Sequence, residues 1–264
     1  MEPVDVIRGD GPVVLGMPHT GVFVPPEIRA KLNDRGRGLA DTDWNIHKLY
    51  EGLLPGATVV RATFHRYVID ANRDPTGESL YPGQNTTGLV PLTDFEGEPI
   101  WDVPPSGGEV EHRRENFHTP YHTALEAELG RVRDTHGAVI LYDCHSIRSE
   151  IPYLFDGRLP DFNIGTNDGT TCAPAVAEAV EAVCRLAQGY DTVVNGRFKG
   201  GWTTRHYGRP EAGLHAIQME LAQRCYMEEA APWPYLHERA QDLRPHLRDI
   251  LEAVERLARE GELA

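Results

Sequence analysis

Residues 138–146 read Ala138-Val-Ile-Leu-Tyr-Asp-Cys-His-Ser146, an apolar run that ends in polar residues. A short run of this kind, rich in β-branched residues, predicts a buried strand over Ala138–Asp143. A second such run, Pro12–Met17, is followed by His19. Ligands of α/β proteins bind in the crevice at the carboxyl ends of the strands, so we expect His19 and His145 to meet there. Two histidines at one sheet edge suggest a shared metal ion.

The rest of the chain alternates between predicted strands and predicted helices. This alternation predicts an α/β fold with a mixed, mostly parallel central sheet and helices on both faces, in three αβα layers. The 264 residues contain no clear linker, which favours one domain over residues 1–264. The further strands are predicted at Ala57–Thr63, Tyr67–Asp70, Thr192–Asn195 and Leu214–Leu221, and the helices at Thr42–Gly52, Val110–Thr135, Cys172–Gln188 and Tyr235–Glu260.

The composition limits the function classes. A formal net charge of −14 argues against nucleic-acid and anionic-membrane partners, because phosphate binding needs a basic surface. It leaves room for a small anionic substrate held by a few arginines. No apolar run approaches the roughly 20 residues of a membrane span, and the N-terminus lacks a signal-peptide layout. The four cysteines form no CxxC pair, which is typical of a reduced, cytoplasmic protein.

The Pro/Gly-rich stretch Leu80–Gly108 is too long for a plain connection in a compact domain. Connections of this length are usually functional or disordered. Its aromatic residues Tyr81, Phe95 and Trp101 favour an ordered loop. We therefore predict that it closes over the site and excludes water, as a lid does.

A third metal ligand is offered by Asp41-Thr-Asp43, at the start of a predicted helix. Both carboxylates also have a structural use, since aspartate is a good N-cap and acidic residues favour a first helical turn. We interpret Asp43 as the ligand and Asp41 as the cap or a supporting residue, a ranking that the sequence leaves open. Two histidines and a carboxylate with an open fourth position make a catalytic zinc site. Cobalt, manganese or iron also fit such donors.

Two further carboxylates stand out. Asp143 precedes His145 by two residues, so it either orients a histidine ring from the same strand face or caps a following helix. Glu220 lies in the apolar run Leu214–Leu221, where a carboxylate is costly to bury without a partner. We interpret Glu220 as a general base or acid that activates water. The alternative is a buried ion pair with an arginine.

Three arginines and an asparagine are candidates for binding an anionic substrate. Asn72 and Arg73 end a predicted strand, Arg148 follows the second histidine, and Arg205 lies in a glycine-flanked loop. Arginine forks match carboxylates, which suggests a small dicarboxylate substrate. The alternative for any one of these arginines is an ion pair with one of the 40 acidic residues.

Several segments between about Val13 and Met227 carry a family resemblance. They include Met17-Pro-His-Thr-Gly21, Asp41-Thr-Asp-Trp44, Arg66-Tyr-Val-Ile-Asp-Ala-Asn-Arg73, Asp143-Cys-His-Ser-Ile-Arg148 and Gly200-Gly-Trp-Thr-Thr-Arg205. Together they resemble the N-formylglutamate amidohydrolase (deformylase) family. That family is similar to the zinc carboxypeptidases and aspartoacylases, which implies a mixed sheet, one zinc ion and a glutamate that activates water. The chain departs from the His-x-x-Glu motif of those relatives, because Val22 stands in the place of the glutamate.

The resemblance implies hydrolysis of N-formyl-L-glutamate to formate and L-glutamate, as in histidine degradation. Two other functions stay open: a metal-dependent hydrolase of another N-formyl or N-acyl amino acid, and a non-catalytic protein that binds a dicarboxylate. The oligomeric state is not indicated. The implied roles are zinc binding by His19, Asp43 and His145, proton transfer by Glu220, oxyanion stabilisation by Arg73, and carboxylate binding by Asn72, Arg148 and Arg205.

Overall fold

The computed structural model describes residues 2–80, 83–261 and 263. Within this part of the chain, seven strands form one sheet: β1 Val4–Ile7, β2 Val13–Met17, β3 Thr58–Ala62, β4 Val139–Ile147, β5 Phe162–Gly165, β6 Thr192–Val194 and β7 Leu214–Ala222. The α-helices of the same residues are α1 Pro26–Arg29, α2 Asp34–Arg37, α3 Ile46–Tyr50, α4 Gly107–Arg113, α5 Thr119–His136, α6 Pro174–Leu186, α7 Trp202–Tyr207 and α8 His237–Arg259. A π-helical turn, Arg114–His118, joins α4 to α5.

The sheet has the strand order β1-β3-β2-β4-β7-β5-β6. Strand β2 is parallel to β3 and β4, β4 is parallel to β7, and β5 is parallel to β6. The pairs β1/β3 and β5/β7 are antiparallel. The central strands β2, β4 and β7 therefore end at the same edge. The prediction of a mixed, mostly parallel sheet is confirmed.

Helices cover both faces of the sheet, as predicted. One buried cluster joins apolar residues of β4 and β7 to α3, α6 and α8. A second cluster joins the opposite sides of β2, β3 and β4 to α5. Because both faces of the central strands are buried, β4 reads as a continuous apolar run rather than an alternating one.

The strand predictions differ from the structure in four places. The segment Tyr67–Asp70 was predicted as a strand, and this is wrong: it forms turns, with the Val68 N–H bonded to the His65 carbonyl at 2.9 Å. Strands β1 and β5 were missed, since four residues carry little periodic signal. Strand β4 continues past Asp143 to Ile147, so His145 lies inside the strand.

The helix predictions hold in position and differ in length. The helix predicted at Thr42–Gly52 is reduced to α3, because Asn45 at its N-cap has a φ of 62°, in the left-handed region. The π-helical turn interrupts the helix predicted at Val110–Thr135. Helix α7 was missed, because its six residues are too few for a helical pattern. Among the described residues, no helix is both long and apolar enough to cross a membrane.

The stretch Leu80–Gly108 is anchored over its second half. The Phe95 N–H donates to Asp41 Oδ2 at 2.9 Å, and the Trp101 indole donates to the Pro91 carbonyl at 2.7 Å. Both aromatic side chains are buried, as the prediction of an ordered loop requires. Tyr81 lies outside the described residues. Closure of this loop as a lid stays a prediction.

Candidate active site

A pocket opens at the carboxyl edge of β2, β4 and β7. Its lining includes His19, which follows β2, together with His145 from β4 and Glu220 from β7. Asp43 reaches the same pocket from the chain just before α3. The parallel order of the central strands therefore brings the predicted metal ligands and the predicted acid–base residue to one place.

The side chains of His19, Asp43 and His145 form a buried cluster whose possible ligand atoms all lie within 4.8 Å of one another. His145 Nδ1 is 3.2 Å from Asp43 Oδ2, and His19 Nδ1 is 3.8 Å from the same oxygen. His19 Nδ1 is buried and has no hydrogen-bond partner among the described residues. An orphaned ring nitrogen that faces a carboxylate fits a site built to hold a cation.

A carboxylate supports the second nitrogen of each histidine. Asp70 Oδ1 lies 2.6 Å from His19 Nε2, and Asp143 Oδ1 lies 3.1 Å from His145 Nε2. Such partners fix the ring orientation of metal-bound histidines and raise their basicity. Of the two readings of Asp143, the structure shows the one in which it orients a histidine. The same role of Asp70 was missed, because the segment before it was taken for a strand.

The two histidines differ in protonation. Burial, helped by the nearby charge of Arg66, lowers the pKa of His19 to about 4. Burial alone would lower the pKa of His145, but the carboxylates of Asp143 and Asp43 raise it well above its usual value. The cluster thus holds a proton at His145 that a bound cation would displace, since metal ligands must be deprotonated.

Glu220 lies beside this cluster. In the β4–β7 register it pairs with His145, and two residue pairs earlier Gln218 pairs with Asp143. The Gln218 amide donates to Glu220 Oε2 at 3.1 Å. Burial raises the pKa of Glu220 to about 8, and the charge of Asp43 acts in the same direction. A carboxyl group with a pKa near neutrality is suited to accept and return a proton at physiological pH.

Arg66 is a pocket residue that the sequence reasoning missed. Its guanidinium is buried, donates to Asp43 Oδ1 at 3.2 Å and lies 5.0 Å from the ring centroid of Phe95. The guanidinium stabilises the ionised form of Asp43: burial alone would raise the pKa of that carboxyl, but contacts with His145, His19 and Arg66 lower it. The only signal in the sequence was its place at the start of the family-like segment Arg66–Arg73.

Asn72 and Arg73 also line the pocket. Asn72 Oδ1 accepts a hydrogen bond from the Thr203 N–H at 2.8 Å, and Asn72 Nδ2 lies 3.2 Å from His145 Nε2. The Arg73 guanidinium donates to the carbonyls of Thr87 at 2.9 Å and of Asn72 at 3.1 Å. The hydrogen bond from the Thr203 N–H holds the Asn72 amide, and the two carbonyl contacts hold the Arg73 guanidinium, beside the cluster.

The structure does not bring Arg148 and Arg205 into this pocket, whose lining among the described residues includes neither. Arg148 Nη1 donates to Glu96 at 2.6 Å, and Arg148 Nη2 lies 3.5 Å from Asp41 Oδ1. Arg205 Nε donates to the Gly200 carbonyl at 2.9 Å. For Arg148 the alternative of an ion pair with acidic residues describes what is seen. Asp41 is not a helix cap, because it accepts from Phe95 and Tyr67 instead.

Comparisons with known proteins show the family of this chain. The sequence model of the N-formylglutamate amidohydrolase family matches residues 11–227. The chain is 47% identical over 250 residues to the N-formylglutamate deformylase of Pseudomonas putida, covering 94% of this chain and 93% of that protein. It is 46% identical to the N-formylglutamate deformylase of Pseudomonas aeruginosa, with 94% of each chain covered.

Solved structures show the same fold. The crystal structure of N-formylglutamate amidohydrolase from Ralstonia eutropha JMP134 matches with a TM-score of 0.83 at 28% identity, covering 99% of this chain and 100% of that one. A protein from Agrobacterium tumefaciens matches in fold with a TM-score of 0.73 at 17% identity, over 97% and 96% of the two chains. The chain belongs to the N-formylglutamate amidohydrolase family. It is therefore an enzyme that hydrolyses C–N bonds of amides.

Proposed function

We propose that this enzyme hydrolyses N-formyl-L-glutamate to formate and L-glutamate, and that it acts in histidine degradation. The observation that carries the proposal is the buried cluster of His19, Asp43 and His145 beside Glu220, in one pocket. The 47% identity to a protein named N-formylglutamate deformylase supports the substrate.

We propose that one divalent cation, zinc, is held by His19, Asp43 and His145. The fit rests on the orphaned Nδ1 atom of His19 and on the carboxylate behind each histidine ring. Nitrogen and oxygen donors in this ratio suit zinc, although cobalt, manganese and iron use similar donors. When bound, such an ion polarises a carbonyl group and lowers the pKa of water.

Glu220 is the group that moves the proton. It accepts a proton from the attacking water and returns it to the amine that leaves when the C–N bond breaks. The pKa of about 8 describes Glu220 beside the carboxylate of Asp43. Positive charge in the cluster lowers that pKa, since an opposite charge within a few ångströms favours the ionised form. The group is then a base before the attack and an acid after it.

Arg73 is the group that stabilises the oxyanion. As water adds to the formyl carbon, negative charge develops on the formyl oxygen, and donors already aimed at that position stabilise it. The two carbonyl contacts of the Arg73 guanidinium hold it in one orientation before substrate arrives. Asn72, fixed by the Thr203 N–H, stands next to it as a further donor.

The pocket is suited to a dianion. Its lining contains three arginines, Arg66, Arg73 and Arg197, against two carboxylates, Asp43 and Glu220, in a chain whose net charge is −14. Arg66 is paired with Asp43. We propose that Arg197, rather than the predicted Arg148 and Arg205, contacts a carboxylate of the substrate. Arg197 lies on the wall of the pocket, bonded to the Leu154 carbonyl at 3.0 Å.

We also propose that residues 1–264 fold as one domain and that the enzyme is cytoplasmic. One sheet takes strands from residues 4 to 222, and α8 packs against the same core. The four cysteines are all buried free thiols, as expected in a reducing compartment.

The test is formate release from N-formyl-L-glutamate by metal-analysed protein, before and after chelation. We expect about one metal ion per chain, activity that chelation removes and zinc restores, and neither property in His19→Ala. N-acetyl-L-glutamate and N-formyl-L-glutamine serve as comparison substrates. Metal without formate release would reject this substrate. Formate release that survives complete metal removal would reject the metal site.

A further inference from the structure

The segment from Ala71 to Arg73 belongs to no strand or helix, although Ala71 and Asn72 are buried and Arg73 is partly buried. Buried backbone polar groups need partners, and here side chains supply them. The Asn72 N–H donates to Asp70 Oδ1 at 2.8 Å. The carbonyl groups of Ala71 and Arg73 face two histidine rings, which lie outside the cluster described above.

These two histidines, His118 and His122, are called here the clamp pair. His122 Nε2 lies 2.8 Å from the Ala71 carbonyl, and His118 Nε2 lies 3.0 Å from the Arg73 carbonyl. A carbonyl oxygen only accepts, so each Nε2 must carry the hydrogen and donate it. The pair therefore donates hydrogen bonds to the backbone on both sides of Asn72.

The tautomer of His122 is fixed from its other side. His122 Nδ1 lies 3.0 Å from the Tyr207 hydroxyl, and with the proton on Nε2 that nitrogen accepts from the hydroxyl. The ring of Trp202 packs against His122 with centroids 4.7 Å apart. Both members of the pair are buried, so water does not compete for their hydrogen bonds.

The local fold explains why both rings reach the same segment. His118 ends the π-helical turn, and His122 follows four residues later in the first turns of α5. Residues four apart lie on one helix face, and these rings have centroids 4.4 Å apart. Single π-helical turns inside helices often occur at functional sites.

The side of Asn72 that faces α7 is closed as well. The Thr203 N–H holds Asn72 Oδ1, and a Cβ atom at Gly201 would lie only 2.2 Å from Asn72 Nδ2. The backbone of the segment is thus fixed by the clamp pair and the side chain by the start of α7. Asn72 and Arg73 have no regular secondary structure to hold them, and these contacts replace it.

We propose that His118 and His122 are positioning residues, which set the place of the Asn72 amide and the Arg73 guanidinium in the reaction. The proposal rests on the proposed function, in which Arg73 stabilises the oxyanion. In the structure the clamp pair contacts the backbone of this segment, while the cluster of His19, Asp43 and His145 is supported by other groups.

The first experiment compares His118→Leu and His122→Leu, which lose the donor, with His118→Gln and His122→Gln, whose amide can still reach the carbonyl. We expect kcat for N-formyl-L-glutamate to fall roughly 10- to 100-fold in the leucine variants, as a misplaced catalytic group implies. KM and metal content should stay near wild type, and the glutamine variants should recover part of kcat. His112→Leu, at an exposed position of α4, is the matched control.

A double-mutant cycle separates positioning from a merely structural role. If the clamp pair acts through Arg73, His122→Leu should change kcat little once Arg73→Ala is present, because coupled residues are non-additive. Additive losses in that cycle would overturn the proposal. So would a fall in metal content that parallels the fall in kcat. If the leucine variants fold poorly, Tyr207→Phe is the substitute, since it removes only the hydroxyl that fixes the His122 tautomer.

Amide exchange of a peptide that spans residues 70–73 gives a readout independent of catalysis. We expect faster exchange in His118→Leu and His122→Leu than in wild type and in His112→Leu. Unchanged exchange would overturn the clamp itself. A wild-type enzyme that releases no formate from N-formyl-L-glutamate, yet shows this exchange difference, would instead reject the proposed substrate.

Discussion

Two pairs of histidines contact the segment from Asp70 to Arg73, and they differ in what lies behind the rings. His19 and His145, here the ligand pair, have centroids 5.0 Å apart, against 4.4 Å in the clamp pair. Each ring of the ligand pair has a carboxylate at Nε2 and faces Asp43. The rings of the clamp pair meet backbone carbonyls. Negative charge behind the ring, rather than the proximity of two histidines, distinguishes the proposed cation site from a structural contact.

The largest difference between the two pairs should appear in kcat when Glu220 is changed, because Glu220 lies beside the ligand pair and not beside the clamp pair. We expect Glu220→Gln to lower kcat by roughly 10²- to 10⁴-fold, the usual contribution of a general acid–base residue. The amide cannot take up the proton of water, but it preserves the shape of the pocket. The measurement is formate release together with metal analysis. A variant that loses its metal but keeps kcat per bound metal would show that Glu220 supports the site instead.

A smaller effect should come from the carboxylates behind the ligand pair. Asp70→Asn and Asp143→Asn keep a hydrogen-bonding atom but remove the charge, so we expect metal affinity to fall roughly 10- to 100-fold. Calorimetric titration of the metal-free proteins with zinc measures this. His118→Gln, in the clamp pair, should leave the affinity unchanged. Equal affinities for wild type and both asparagine variants would contradict the importance of charge behind the rings.

The smallest expected effect is on the pH dependence of stability. Burial, then the charge of His118, lowers the pKa of His122 from 6.5 to about 3. Below pH 6.5 His122 takes up a proton in the unfolded chain, whereas in the folded chain it stays neutral until the pH approaches 3. The contribution of neutral His122 to the free energy of unfolding is therefore complete above pH 6.5. It is lost as the pH falls from 6.5 towards 3, by at most about 1.4 kcal/mol per pH unit.

Denaturant unfolding at pH 7.5 and pH 5 tests this sign. Wild type should lose more stability over that interval than His122→Gln, which has no proton to gain, while the exposed His112→Gln should behave as wild type. A glutamine variant with the same pH dependence as wild type would show that His122 is protonated in the folded protein.

The sequence was sufficient to predict site residues that lie at the carboxyl end of a predicted strand. His19 and His145 were predicted together because parallel strands end on one side of a sheet, and the structure brings them together with Asp43 and Glu220. The length and alternation of β7 put Glu220 on a definite face, which needed no tertiary information.

The sequence was insufficient where the position of a site residue depends on irregular backbone or on the direction of a long side chain. The segment Tyr67–Asp70 was predicted as a strand, but contacts with distant residues hold this part of the chain, so Asp70 and Arg66 were overlooked. Arg148 was placed in the pocket because it follows His145, but a flexible side chain of that length turned to Asp41 and Glu96. Nothing in the sequence indicated the clamp pair, because no local signal shows which carbonyl a helical histidine meets.

The pairing of His145 with Glu220 across β4 and β7 also limits how this chain can change in length. Side chains alternate between the faces of a strand, so inserting or deleting one residue between Leu214 and Glu220 would turn the carboxylate to the opposite face. That face packs against the apolar residues of α6 and α8, where burying a charge is costly. A substitution in β7 changes a single side chain, whereas the insertion or deletion of one residue in this interval removes the Glu220 carboxylate from the pocket. Changes in length are therefore confined to turns such as the exposed residues 76–79.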